Sequence, residues 1–301
     1  MGITLGLGAA LSWGLADYFA AVASRRIGAL RVVLGFHLAA LVPLTTLALA
    51  TGALAHVSLG ELVALAGFGA VGWLSYLAFY GALAIGPISV LSPIVSGYAT
   101  VTVLLAVFFG GSRLSPPESV AVAITIGGAM LASADLREIA RARLGRRSAL
   151  GFVLALCAMV LLGTFVFGVA YYRPRIGWLA PIFLGRGFAT AFLICHALGS
   201  ATRGARPRRA EATCDAPLST GERTRLIATM VLLGLLDTAG YVCFNLGVGH
   251  ATTAVVAAAS APYALVPVAM GVSMLRERPT PTQWLGAGFV IAGVVVLGAA
   301  A

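Results

Sequence analysis

The chain has 301 residues, of which 60% are hydrophobic and only 10% are charged, and its mean hydropathy is +0.98. About a quarter of the residues in an ordinary soluble domain are charged. A chain this apolar cannot cover its own core with polar surface, so most of its solvent must be lipid. All twenty basic residues are arginines, which excludes mechanisms that need a lysine amine. The composition therefore excludes a soluble enzyme, a DNA-binding domain and a disordered tail.

Apolar runs that are long enough to cross a bilayer follow one another along the whole chain. A helix needs about 20 residues to cross the hydrocarbon core, and it satisfies its own backbone hydrogen bonds there. Such runs occupy residues 3–22, 32–52, 62–84, 88–109, 118–134, 149–170, 178–199, 226–247, 253–275 and 283–300. The sequence therefore predicts an all-α polytopic membrane protein with ten transmembrane helices.

Polar segments divide these ten helices into two sets of five. Residues 135–148 form a basic linker, which predicts a first repeat at 1–134 and a second repeat at 149–301. The second repeat contains a polar loop at 200–225.

The two halves are also similar in sequence. A shift of 165 residues aligns 69–128 with 234–293, and 13 of the 60 positions are identical, about twice what apolar composition alone would give. The less common matches are Tyr76 with Tyr241, Phe79 with Phe244, Tyr98 with Tyr263, Arg113 with Arg278 and Pro116 with Pro281. Because each repeat has an odd number of helices, the halves take opposite orientations. This inverted repeat is typical of transporters that alternate access around a site near the membrane midplane.

Several motifs resemble those of the EamA-like branch of the drug/metabolite transporter superfamily. Helix 1 reads LSWGLADYFA, helices 8 and 9 meet in NLGVGHATTAVVAAASAPYALVPVAMGVSMLRERPT, and helix 10 reads QWLGAGFVIAGVVVL. The first copy has Gly111 and Ser112 where this family usually has an acid, so that copy is degenerate. The resemblance implies two inverted five-helix halves, a central cavity and transport of a small polar or amphipathic metabolite.

Three formally charged residues, Asp17, Arg186 and Asp237, lie well inside the predicted spans. Placing such a group at the bilayer centre costs at least about 2.5–3.5 kcal/mol, so each needs an interior partner or a wet cavity. We expect them to bind substrate or to couple transport to protons. The alternatives are a structural Asp–Arg pair and, for Asp17, a side chain that reaches the membrane interface. Arg186 suits either a substrate carboxylate or an aspartate neighbour.

Aromatic and amide side chains predict the wall of a cavity. Residues three or four apart share one face of a helix, and a polar stripe on an apolar helix should face the interior. The residues expected to line the cavity are Trp13, Trp73, Tyr76, Tyr80, Tyr241 and Asn245. For the two tryptophans, helix packing is an equally good interpretation.

Helix breaks in helices 4 and 9 predict the moving parts. Proline frees a backbone carbonyl and bends a helix, and such breaks often flank the site of a transporter. The candidate gate or hinge residues are Pro93, Gly97, Tyr98, Pro262 and Tyr263. Local packing around the prolines is the alternative.

The function predicted from these features is a secondary transporter, an exporter of a metabolite, amino acid or drug-like solute, with protons as the candidate coupling ion. The alternative is an intramembrane lipid-modifying enzyme or protease. No cofactor, metal or nucleic acid is expected, since His37, His196 and His250 lie on different helices without metal-ligand spacing. The expected partners are the small-molecule substrate and the lipid bilayer, in the bacterial inner membrane. The sequence does not distinguish a monomer from a dimer.

The orientation of the chain is open, because two arguments disagree. Loops 1–2, 5–6, 7–8 and 9–10 carry sixteen arginines, whereas the opposite face carries Arg113, Arg173 and Arg175. The positive-inside rule places the arginine-rich loops in the cytoplasm and both termini outside. Members of the family that the chain resembles usually have both termini in the cytoplasm.

Overall fold

A computed structural model describes residues 1–85, 94–133, 146–202, 219–266, 269–270 and 280–300. Ten helices of eight or more residues lie in these ranges, together with a one-turn helix at Arg173–Ile176 and a 3₁₀ turn at Ala261–Ala264. They are α1 Gly2–Ile27, α2 Ala29–Thr51, α3 Leu59–Ile85, α4 Tyr98–Phe108, α5 Pro116–Ser133, α6 Arg146–Tyr171, α7 Leu179–Thr202, α8 Thr220–Gly247, α9 Thr253–Ser260 and α10 Pro281–Ala300. The described part of the chain contains no strand, so the all-α prediction is confirmed for it.

Seven of these helices are long and apolar enough to cross a membrane. Within the described residues they are Gly2–Ser24, Leu30–Thr51, Leu59–Phe79, Ala149–Ile176, Leu179–Gly199, Thr220–Gly247 and Pro281–Ala300. Three shorter apolar helices occupy Ile94–Phe108, Pro116–Ala132 and Thr253–Ala264. Parts of the predicted spans 88–109 and 253–275 lie outside the described residues.

Two helices start inside segments that the sequence predicts to be a polar loop or linker. α8 begins at Thr220 inside the predicted loop 200–225, because Ser219 and Glu222 form a capping box. The backbone N–H of Ser219 donates to Glu222 Oε2 at 3.0 Å, which satisfies a donor at the helix start. α6 begins at Arg146, inside the predicted linker 135–148, since arginine favours helix.

The helices pack in pairs that correspond between the two halves. α1 packs against α8 and α9, while α6, at the same place in the second half, packs against α3 and α4. α2 packs against α8, as α7 does against α3. α5 packs along α10, α4 meets α9, and α2 meets α7. Each of these contacts has a counterpart in the other half or joins two corresponding helices.

Glycines bring α1 and α6 close to their neighbours in the same way. A Cβ atom on Gly14 would lie 2.6 Å from the carbonyl oxygen of Tyr263, and one on Gly163 would lie 2.6 Å from that of Tyr98. Glycine therefore permits helix contacts here that a larger residue would prevent. Gly14 and Gly163 are 149 residues apart, whereas Tyr98 and Tyr263 are 165 apart. The shift between the halves is thus smaller for the first helices, because the second half has a longer loop before α8.

The pair of α5 and α10 shows the same symmetry. A Cβ on Gly128 would lie 2.9 Å from the carbonyl oxygen of Gly286, and one on Gly293 would lie 3.0 Å from that of Ala121. Both glycines and both carbonyls are related by the shift of 165 residues. The two helices therefore cross at equivalent points.

α9 lies in the centre of the bundle. Its residues from Ala254 to Ser260 are all buried, since small side chains fit between α1, α4 and α5. The α-helix ends at Ser260 and continues as the 3₁₀ turn that contains Pro262. Proline lacks a backbone N–H and its ring conflicts with the carbonyl four residues earlier, which explains the change of helix type.

Candidate functional site

A cavity lies in the middle of the bundle, between helices of both halves. Its empty volume, counted out to the open solvent, is about 910 Å³. The wall is mostly aromatic and apolar, and two carboxylates face into it. The aromatic and acidic residues in the wall are Trp13, Asp17, Phe36, Tyr76, Phe79, Tyr98, Asp237, Tyr241 and Tyr263.

Asp17 is the exposed carboxylate of this cavity. It lies on α1, one turn beyond Trp13, and its side chain is accessible although the helix is packed within the bundle. No cation within the described ranges lies at ion-pair distance from it. Its carboxylate is near enough to that of Asp237 for the two to repel each other. The cavity therefore contains a negative charge that the described protein groups do not neutralise.

Asp237 on α8 forms an ion pair with Arg186 on α7, through its Oδ2 and the arginine Nη2. The Arg186 side chain is 2% exposed and that of Asp237 is 13% exposed, so the arginine lies behind the wall and the aspartate in it. The guanidinium also lies over the Tyr241 ring, 5.1 Å from its centroid. This arrangement places one salt bridge where a lone charge would be costly.

His37 belongs to the same cluster and was not singled out as a site residue from the sequence. Its Nδ1 lies 3.1 Å from the Thr190 hydroxyl oxygen, and that hydroxyl donates to the Arg186 carbonyl at 2.8 Å. The hydroxyl oxygen is therefore the acceptor for an Nδ1–H. The imidazole also contacts the Tyr76 ring edge-on, with centroids 4.8 Å apart. A shift of 149 residues would have pointed to His37, because it places this residue opposite Arg186.

The aromatic residues of the wall form one connected cluster. The Trp13 ring is 5.1 Å from the Tyr241 ring and 6.4 Å from the Tyr98 ring, both edge-on. Tyr98 and Tyr263, the predicted gate pair, meet with centroids 5.5 Å apart. Such geometry is favourable for aromatic pairs. The cluster therefore connects α1, α4, α8 and the 3₁₀ turn through aromatic contacts.

The predicted hinge residues differ in what surrounds them. Gly97 precedes α4, and a Cβ there would lie 2.9 Å from the Met159 sulfur. Pro262 is buried in the 3₁₀ turn. Pro93 lies outside the described residues.

Two of the predicted cavity residues lie elsewhere. Trp73 stacks on Phe192, with centroids 5.8 Å apart, and is not part of the cavity wall. Asn245 is buried behind the wall, where its Nδ2 donates to the Tyr241 carbonyl at 3.3 Å. The side chain of Tyr80 lies outside the described set. Spacing along a helix predicts a shared face, but it does not predict which neighbour covers that face.

The chain is similar to known proteins in sequence and in fold. The EamA-like transporter family model matches residues 1–134 and 149–299. A solved crystal structure that is 16% identical in sequence has the same fold, with a TM-score of 0.72, and the match covers 98% of this chain and 95% of that chain. No curated protein matches the chain in sequence.

Long apolar helices around a central cavity are typical of an integral membrane protein. The family match extends over both halves of the chain. The chain belongs to the EamA-like transporter family.

Proposed function

We propose that this protein is a secondary transporter which moves a small metabolite, amino acid or drug-like solute by alternating access. The observation that carries the proposal is the central cavity, whose wall combines Asp17 and Asp237 with aromatic side chains from both halves. Intramembrane charges that line a cavity are typical of substrate and ion pathways. The family match over both halves favours a transporter over an intramembrane enzyme.

The halves act in this proposal as inverted repeats, with five transmembrane helices in each. The corresponding helix contacts and the equivalent glycine approaches at Gly14 and Gly163 support this arrangement. In such a protein the two halves rock against each other around a fixed central site. Tyr98 and Tyr263 form the gate where α4 meets the 3₁₀ turn, with Gly97 and Pro262 as hinges.

In this proposal the solute reaches the cavity from the arginine-rich face. At the opposite end, Gly2 packs against Ala251, and the Arg173 guanidinium lies against Gly249. The cavity wall on α1 instead runs from Trp13 past Asp17 to Ala20, toward the helix end that precedes Arg25. If the positive-inside rule holds, this face is cytoplasmic and the conformation is the one in which an exporter loads its substrate. We place this exporter in the bacterial inner membrane.

Proton coupling is assigned to Asp17. Asp237 already has a permanent cation beside it in Arg186, whereas Asp17 has no ion-pair partner in the described structure. A carboxylate that is accessible to water and lies in an apolar surrounding can take up and release a proton during a cycle. Arg186 holds Asp237 in position and does not itself face the solute.

Flux measurements in proteoliposomes test this function. A panel of amines, amino acids and drug-like solutes is assayed with and without a pH gradient. We expect at least one solute to cross faster than in protein-free liposomes, and its flux to increase with the gradient. Asp17→Asn should keep downhill flux at saturating solute concentration and lose the response to the gradient, because the exchangeable proton is removed.

The matched control is Glu61→Gln, which also removes one carboxylate but at the exposed start of α3, where glutamine can still cap the helix. Its flux should equal that of the wild type. Absence of specific flux for every solute would contradict the transporter proposal. An unchanged gradient response in Asp17→Asn would remove Asp17 from coupling only.

A further inference from the structure

The described groups around the cavity carry more negative than positive charge, which bears on the kind of solute that the cavity can bind. Two carboxylates face the cavity and one cation, Arg186, lies behind its wall. Arg186 is paired with Asp237, so their charges cancel. Asp17 then leaves the described wall with one net negative charge.

No other described group is placed to neutralise Asp17. His37 lies behind the wall and hydrogen-bonds Thr190. Residues 86–93, which are outside the described set, contain no charged side chain. The side chain of Arg25, eight residues further along α1, lies outside the described set.

Among the described residues, no cation is accessible to a solute carboxylate in this cavity. The Arg186 Nη2 is occupied by Asp237, and its Nη1 is buried, so neither is accessible from the cavity in this conformation. A second anion would also lie near both Asp17 and Asp237 and would be repelled. The position of Arg186 therefore disfavours the carboxylate-binding role that its sequence allows.

The rest of the wall suits an organic cation. Trp13, Tyr98, Tyr241 and Tyr263 present aromatic rings around the site. Aromatic faces attract ammonium groups, and tryptophan does so most strongly. The same rings provide apolar contact area for the body of the solute.

We propose that the substrate class of this cavity is an amphiphilic monocation, a protonated amine or quaternary ammonium on an aromatic or aliphatic body without a carboxylate, whose cationic group pairs with Asp17. This inference rests on the proposed transport function and specifies its substrate. It predicts that an amine binds and that the corresponding amino acid, which differs from it only by the carboxylate, does not bind as tightly.

Equilibrium binding to the full-length protein in nanodiscs tests the inference at one fixed, neutral pH. The probes are phenethylamine, phenylalanine and phenylethanol, which share the phenyl group and differ in charge. We expect phenethylamine to bind about tenfold or more tightly than either of the others, as for a charge-assisted contact. Asp17→Asn should lose about the same factor for phenethylamine and leave phenylethanol binding unchanged.

Two further variants separate charge from folding. Asp17→Glu keeps the carboxylate and should keep the preference for the amine, while Glu61→Gln should bind all three probes as the wild type does. If Asp17→Asn does not fold, as judged by its thermal unfolding, the relative affinities of the three probes for the wild type still test the preference for a cation. The inference is overturned if phenylalanine or phenylethanol binds as tightly as phenethylamine, if phenethylamine does not bind, or if folded Asp17→Asn binds it normally.

Flux of the same three probes in proteoliposomes distinguishes this inference from the transport function. Transport of phenylalanine without transport of phenethylamine would overturn the substrate class and leave the transporter intact. Selective binding of phenethylamine without flux of any solute would support the cation site and contradict the transport function. Selective flux of phenethylamine would support both.

Discussion

The two halves of the molecule have equivalent packing but different charges. Gly14 and Gly163 make the same close approach to a tyrosine carbonyl in the other half. At the place where the second half has Arg186, however, the first half has His37. The packing is thus shared, whereas Arg186 has no charged counterpart at the equivalent place in the first half.

The same contrast is found in the cavity wall. Asp17 of α1 and Val166 of α6 are equivalent under the shift of 149 residues, and both line the cavity. Asp237 of α8 corresponds to Gly72 of α3 under the shift of 165 residues. Helix contacts must be repeated for the halves to fit each other, whereas a charge in the membrane is costly and is expected only where it acts. The helix packing is therefore symmetric between the halves, and the charged residues of the site are not.

The largest expected effect comes from breaking the ion pair between Arg186 and Asp237, which both lie in the second half. Arg186→Met leaves Asp237 without its cation, and we expect a loss of about 3–5 kcal/mol in the free energy of unfolding. Adding Asp237→Leu should restore most of this loss, because no unpaired charge remains. Chemical unfolding of the purified variants in detergent, followed by tryptophan fluorescence, measures the cycle.

The matched control is Arg113→Met, which removes the same type of side chain from an exposed loop. It should change the free energy of unfolding by less than about 0.5 kcal/mol. A double variant that is no more stable than Arg186→Met alone would show that the arginine stabilises the fold by its packing and not by its charge.

A smaller effect is expected for the packing that both halves share. Gly128→Ala places a Cβ atom 2.8 Å from the backbone nitrogen of Val290, and we expect a loss of about 1–3 kcal/mol from overpacking between α5 and α10. Gly293→Ala, its symmetry equivalent, should cost a similar amount. Thermal unfolding of both variants in detergent provides the measurement.

Gly127→Ala is the matched control in the same helix, because nothing lies within 4 Å of its added Cβ. It should be neutral or slightly stabilising, since alanine favours helix over glycine by up to about 1 kcal/mol. If Gly127→Ala and Gly128→Ala lowered the thermal stability equally, the close crossing of α5 and α10 would not be the reason that glycine is needed at position 128.

The helical fold was predictable from the sequence because hydropathy alone determines which segments can cross lipid. Asp17 and Asp237 stood out for the same reason, since charges inside apolar runs are rare. The pairing of Arg186 with Asp237 was left open, because it depends on how α7 and α8 approach each other. Trp73 and Tyr76 are three residues apart on one helix, yet Trp73 stacks on Phe192 while Tyr76 lines the cavity.

The place of His37 was hidden by the change of register between the halves. The shift of 165 residues aligns α3 to α5 with α8 to α10 but does not relate α2 to α7. Only the contacts of Gly14 and Gly163 reveal the shift of 149 residues that places His37 opposite Arg186. A loop insertion within one repeat therefore conceals symmetry from a search that uses a single shift.

The smallest effect concerns His37, the neutral counterpart of Arg186. His37→Leu removes the hydrogen bond to Thr190, but the Thr190 hydroxyl keeps its bond to the Arg186 carbonyl. We therefore expect a loss of only about 1 kcal/mol in the free energy of unfolding. His37→Gln can still donate to Thr190 and should lose less. Solute flux should be nearly unchanged in both variants, because His37 is not part of the cavity wall. A loss of flux in folded His37→Leu would instead place this histidine in the transport mechanism. The two halves would then be functionally more alike than their charges indicate.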